Sequence, residues 1–303
     1  MSKTAFVTIV SNNYLHFART LMQSVAACHS DVDRYCVIVD KDLTFAKELH
    51  QEFQAISLDQ LQLPDGDDFL FQYTVLELNT AVKPWALDYL LSQGYDQVAY
   101  IDPDIYLYRP LQEVFALLKD DADIVLTPHL LRPIDDSCRP TELDIRRAGT
   151  YNLGFCAMRD SSNTRDYLQW WQKKLRHDCV VDFERGVFVD QSWMDLVPGL
   201  FDRVSVLRHP GYNVAYWNLA QRSLIYDAEA EDYQAEGHPL VFFHYSGLNY
   251  RKPQSVSKHQ NRFDFSNLNQ ALVGLFREYA ALVRDNDAPG YSQLRYAFDY
   301  YDT

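Results

Sequence analysis

The chain has 303 residues, 47% of them hydrophobic and 23% charged, with a net charge of −14. That length and balance describe a folded chain able to bury a large core, and they exclude extended disorder. The acidic excess opposes a nucleic-acid backbone or an anionic lipid surface as main partner, and no apolar run approaches the roughly 18 residues that a transmembrane segment needs.

The first half alternates strand-like and helix-like segments. Ala5–Val10 is a short apolar run rich in β-branched residues, closed by the polar turn at 11–13. Apolar residues then recur at helical spacing from Leu15 to Ala26. Tyr35–Val39 is strand-like and ends at Asp40; Phe45–Phe53 reads as helix and Ala55–Leu58 as strand. Thr80–Gln93 has helical spacing with Lys83 in its first turns, and Gly94 closes it. Gln97–Ile101 is a further apolar strand that runs into Asp102-Pro103-Asp104. Strands separated by helices of this length imply βαβ units and a mainly parallel central sheet. Ligands of such sheets bind beyond the carboxyl ends of the strands, so Ser11–Tyr14, Asp40 and Asp102–Asp104 should converge there.

The second half is less regular. Leu111–Leu118 and Asn163–Lys174 read as helices, Asp123–Leu126, Asn152–Met158 and Leu240–His244 as strands, and Leu268–Val283 as a last helix packed on the outside. No repeat or linker interrupts the chain, which reads as one α/β domain. The five cysteines, Cys28, Cys36, Cys138, Cys156 and Cys179, form no C-x-x-C pair, and the N-terminus enters a strand without a signal-peptide core. Both features point to the cytoplasm, with the protein soluble or peripheral at the inner membrane.

Two segments carry metal chemistry. Asp102 and Asp104, two residues apart beyond a buried strand, are placed to share a hard divalent cation, with Pro103 stiffening the backbone between them. A Mg²⁺ or Mn²⁺ so held bridges a diphosphate and offsets the charge on it as it leaves. Asp-Pro is equally suited to a turn or cap. Far downstream, an apolar run delivers His244, followed by Gly247 and Lys252.

Together these segments resemble the signature of the GT-A glycosyltransferases, most closely glycosyltransferase family 8, whose retaining enzymes carry a D-x-D after a strand and a late H-x-x-G-x-x-K-P-W segment. This chain has one extra residue before Lys252 and Gln254 in place of the Trp. The resemblance implies a Rossmann-like GT-A domain over residues 1–265, with a nucleotide-binding half at 1–110, a sugar and acceptor half at 111–265, and a helical extension at 266–303. It implies a metal site of Asp102, Asp104 and His244, with Gly247 and Lys252 on the diphosphate. Ser11, Asn12 and Tyr14 fall where the family keeps its nucleoside-binding turn, although the acid often found there is absent. Tyr151–Phe155 is similar to the family's F-N-x-G segment, giving Asn152 and Gly154 a place at the donor sugar. Asp190 and Gln191 match its D-Q pair near the anomeric carbon, and Lys83 stands where the family keeps a basic residue beside the donor.

The function implied is metal-dependent transfer of a hexose-type sugar from a nucleoside-diphosphate donor, UDP-linked in most of the family, to a glycan, lipid-linked or protein hydroxyl, with retention. An inverting GT-A enzyme using Asp190 as base, or a non-catalytic sugar-nucleotide or glycan-binding module, are the alternatives. His209–Asn218, rich in rings and amides, suits an acceptor-side wall or a buried turn. The loop at 130–149 carries Arg132, Arg139, Arg146 and Arg147, which are expected to pair with Asp135, Asp136 and Asp144.

Overall fold

The computed structural model describes residues 2–229 and 231–298. The central sheet is built from β1 (Thr4–Val10), β2 (Asp33–Ile38), β3 (Gln54–Ser57), β4 (Gln97–Ile101), β6 (Ile124–Pro128), β7 (Tyr151–Arg159) and the strand Val204–Val206; β5 (Ile105–Leu107) belongs to a smaller sheet. The order across the central sheet is β3-β2-β1-β4-β7-β6 and then Val204–Val206. Pairings are parallel except around β7, which runs antiparallel to both β4 and β6.

Helices cover both faces, so β1 is apolar on each side. Ala5, Val7 and Ile9 enter one core cluster and Phe6 and Val10 the other. The helical pattern at 80–93 divides into Val75–Ala81 and Lys83–Ser92, because Pro84 starts a new helix and cannot continue the previous one. Of the helix expected earlier at Phe45–Phe53, only a short piece forms, at Thr44–Glu48. Cys36, Cys156 and Cys179 are buried, and all five cysteines are free thiols.

A smaller sheet joins β5, the strand Phe242–His244 and Val214–Ala215 beneath the C-terminal helix Gln270–Asn286. That helix buries Leu272, Leu275, Phe276, Tyr279 and Val283 against Phe243 and Tyr245. It is also pinned to the first long helix, Leu15–Cys28, where Asn286 donates to Thr20 Oγ1 at 2.9 Å. No helix among the described residues is long and apolar enough to cross a membrane.

Candidate active site

The acidic pair lies where a buried parallel strand gives out. Asp102 follows β4, and its N–H donates to Gly154 O of the adjacent β7 at 2.7 Å. β5 then begins, pairing antiparallel with Phe242–His244 in a register that sets His244 opposite Ile105. Tyr245 N–H donates to Asp104 O at 2.8 Å and closes that pairing beside the acids. His244 Nε2 consequently lies 2.9 Å from Asp104 Oδ1 and 3.7 Å from Asp102 Oδ2. The three residues offer ligand atoms within 4.8 Å of one another. Two carboxylates and an imidazole form a donor set that suits Mn²⁺ or Mg²⁺.

A second layer orients this cluster. His244 Nδ1 lies 3.1 Å from Asn152 Oδ1, an acceptor, so Nδ1 carries a proton and Nε2 is the nitrogen turned to the acids. Burial pulls the imidazole pKa down, but Asp104 and then Asp102 outweigh it and the net shift is upward. Burial raises the Asp102 pKa against the opposing pull of Lys83 and His244. Tyr100 Oη donates to Asp102 Oδ1.

β7 delivers Asn152 through a bulge. While β6 moves from Pro128 to Leu126, its partner moves from Tyr151 to Cys156, so the intervening β7 residues leave the ladder. Gly154 sits in that bulge against the metal cluster: a Cβ there would lie 2.4 Å from His244 Cε1 and 2.7 Å from Nδ1. Asn152 Nδ2 donates to Gln191 Oε1 at 3.2 Å; that oxygen also accepts from Leu153 N–H at 3.0 Å, and Gln191 Nε2 donates to Ala148 O at 2.8 Å. Gln191 is therefore fixed at both ends of its amide.

Asp190 is 2% exposed and Lys83 is 1% exposed, and Lys83 Nζ lies 2.5 Å from Asp190 Oδ2 while donating to Leu153 O at 2.9 Å. Burial alone would neutralise the lysine, but Asp190 and then Asp102 hold its proton, and its pKa is raised. Val189, just ahead, has φ +41°, the left-handed region that a β-branched residue rarely enters. That backbone twist turns the chain into the site.

These residues open on a cavity of about 510 Å³ lined by Lys83, Asp102, Asp104, Asn152, Gly154, Asp190, Gln191 and His244. The galactosyltransferase LgtC, solved with donor and acceptor sugar analogs, superposes with a TM-score of 0.50 at 12% identity, over 93% of this chain and 95% of that one. The glycosyltransferase GlyE of Streptococcus pneumoniae TIGR4 superposes with a TM-score of 0.52 at 17% identity, over 97% of this chain. The chain has the GT-A glycosyltransferase fold. It spans only 66% of the length of GlyE. In sequence it is 25% identical over 256 residues to the uncharacterized protein YfnF of Bacillus subtilis strain 168, covering 80% of this chain and 81% of that one. It is 26% identical over 257 residues to YfnD of the same organism. No protein-family model matches the chain.

Within this GT-A frame, the remaining sequence candidates lie outside the cavity lining. Ser11 Oγ donates to Asn13 Oδ1 at 2.5 Å, and Asn12 is buried with its side-chain amide on Asp42 O at 2.8 Å and its N–H 3.4 Å from Asp40 Oδ2. The turn does meet Asp40 at the carboxyl edge of the sheet. Tyr14 is 49% exposed, and its pKa is raised by burial and then by the Asp104 carboxylate. Gly247 has φ +72°, and a Cβ there would collide with His259 Cδ2 at 2.5 Å and Ser257 Oγ at 2.6 Å. The group that closes on this glycine is the chain's own 257–259 loop, and His259 thereby reaches the cavity. Lys252 is exposed in the chain ahead of that loop.

Other cavity residues carried no sequence signal by themselves. His129, Phe183 and Phe188 line the cavity, brought there by segments whose course depends on the rest of the fold. The 209–218 segment contributes Tyr216 and Trp217, with Trp217 edge-on to His244 at 5.2 Å. The 130–149 loop supplies Arg139, Pro140, Asp144, Ile145 and Ala148. Its expected local pairing is only partly formed: Arg132 pairs with Glu236 and Asp136 with Arg262, while Asp144 joins a capping box with Thr141 and its pKa is lowered first by Thr141 and also by the nearby Arg139 and Arg147.

Proposed function

We propose that the protein is a metal-dependent glycosyltransferase that moves a hexose-type sugar from a nucleoside-diphosphate donor to an acceptor hydroxyl with retention at the anomeric carbon. The observation that carries this reading is the Asp102–Asp104–His244 cluster at the carboxyl edge of a GT-A sheet, facing a cavity floored by Asn152, Asp190 and Gln191. Asp102, Asp104 and the Nε2 of His244 would hold Mn²⁺ or Mg²⁺, which supplies Lewis-acid stabilisation to a departing diphosphate. Asn152 keeps His244 in the tautomer that leaves Nε2 for the metal, and its amide edge stands beside the donor sugar. The doubly bonded amide of Gln191, next to the Asp190–Lys83 ion pair, provides fixed dipoles near the reacting carbon. The turn at Ser11, Asn12 and Tyr14 is assigned to the nucleoside, with Gly247 and Lys252 on the diphosphate side.

Retention is preferred to inversion because Asp190, the candidate base, is buried and neutralised by Lys83. A carboxylate so paired is poorly placed to take a proton from an incoming hydroxyl. Domain limits of 1–265 for the transferase and 266–303 for the extension complete the proposal.

The test is release of nucleoside diphosphate from a sugar-nucleotide panel with and without Mn²⁺. Asp102→Asn is expected to reduce metal-dependent hydrolysis and transfer by more than a hundredfold. Activity equal to that of the unaltered protein would remove the metal-site assignment.

A further inference from the structure

The cavity is divided. Its floor is polar, formed by the acids, His244, Asn152 and Gln191, whereas Leu76, Ile145, Phe183, Phe188 and Val189 line another part of it. Two of these are wide open to solvent: Leu76 is 53% exposed and Phe183 is 51% exposed. Phe183 and Phe188 stack with centroids 5.5 Å apart and planes 12° from parallel, forming a flat face on the hairpin of Val181–Asp182 and Val187–Phe188. The same hairpin, the helix Val75–Ala81 and the helix Glu142–Ala148 also carry exposed Val75, Leu143 and Val181.

Leu76, Val75, Leu143, Val181 and Phe183 do not serve the core of their own elements, whereas Phe188 packs partly against the core and Val189 is buried in it. The helix Val75–Ala81 already buries Leu78 and Ala81, and the helix Glu142–Ala148 buries none of its residues. The three elements are held together: Val181 N–H donates to Glu77 Oε1 at 3.0 Å, tying the hairpin to the first helix. Apolar side chains left in water around a reaction cleft mark a binding surface. The Phe183–Phe188 face suits a ring or a chain, but Leu76 and Ile145 in the same lining are aliphatic and offer a sugar neither a flat face nor a hydrogen-bond partner. They suit a hydrocarbon chain.

We infer that the acceptor is amphipathic: a hydroxyl-bearing head enters the polar floor while an aliphatic chain attached to it lies along Leu76, Phe183 and Phe188. This rests on the transferase reading for the role of the cavity, and commits the strip to the acceptor. The donor nucleoside is assigned to the opposite side, at the end of β1.

The experiment uses the full chain and three soluble probes: methyl β-glucoside, hexyl β-glucoside, and octyl β-glucoside below its micelle concentration. Binding is measured by calorimetry in the presence of Mn²⁺. Affinity is expected to rise with chain length, by about fourfold for each methylene that is buried. Phe183→Ser and Leu76→Ser, each checked for an unchanged thermal midpoint, are expected to lose about tenfold in affinity for the octyl compound with little change for the methyl one. Equal affinity across the series, or a chain-length dependence that neither variant alters, overturns the inference. A concentration-dependent dimer that dissociates in Phe183→Ser assigns the strip to a second copy of the chain and overturns it too. Donor hydrolysis by the unaltered protein tests the transferase reading separately, so failure of one is not mistaken for failure of the other.

Discussion

Gly154 and His244 are in contact although ninety residues separate them in the chain, and the absence of a side chain at 154 is what allows it. Gly154→Ala would put a methyl group inside the van der Waals radius of the imidazole and 2.9 Å from Asn152 Oδ1. Neither neighbour is free to retreat, since each is buried and bonded to the other. The expected result is a 10–100-fold loss in Mn²⁺ affinity, as is typical when an outer partner of a ligand is disturbed, measured by calorimetric titration of the metal. The Lys83–Asp190 pair makes a different prediction. Removing the cation in Lys83→Met leaves a buried carboxylate that burial already pushes toward protonation. Breaking such a pair costs about 3–5 kcal/mol, whereas replacing both partners by apolar groups is often neutral. Urea unfolding should show Lys83→Met strongly destabilised and the double variant Lys83→Met with Asp190→Leu largely restored.

At the level of elements, the two strands flanking the acids explain why the site forms. β4 was legible from its apolar run, and Asp102 and Asp104 followed from it. β5 is only three residues long, and its pairing with Phe242–His244 is a nonlocal event that no local periodicity announces. The bulge in β7 is similar: it exists only because β6 fixes a register that the β7 sequence then exceeds. The helix Val75–Ala81 shows how one short element serves two others. Thr74 caps it by accepting from Glu77 N–H, and the Glu77 side chain returns to Thr74 N–H at 2.9 Å while also accepting from Val181. Thr74→Ala is expected to cost about 1 kcal/mol in urea unfolding, the usual value of an N-cap. A loss well below that would mean that tertiary packing, not the cap, holds this helix.

Over the whole molecule, buried histidines make stability depend on pH. Burial lowers His16 to about 4, despite Asp287 3.9 Å away, and lowers His129 to about 4. In the unfolded chain a histidine titrates near about 6.5. Between these values each of these two histidines binds more protons in the unfolded chain than in the folded one, so their contribution to stability is complete above about pH 6.5 and is lost as pH falls toward 4. The thermal midpoint should decline across that interval. His16→Phe should make the decline shallower, since both ring nitrogens of His16 lack a hydrogen bond and an aromatic ring fits among Tyr14, Phe17 and Tyr250. The sequence by itself determined the alternation of strands and helices, the parallel character of the sheet, and the edge on which Asp102 and Asp104 emerge, because each of these follows from local periodicity and from where an apolar run ends. Only the tertiary structure decided that Lys83 neutralises Asp190, that Asn152 orients His244, and that an apolar strip borders the cavity. Those facts depend on distances between residues far apart in the chain, and such distances are set by strand register and loop packing rather than by neighbouring residues.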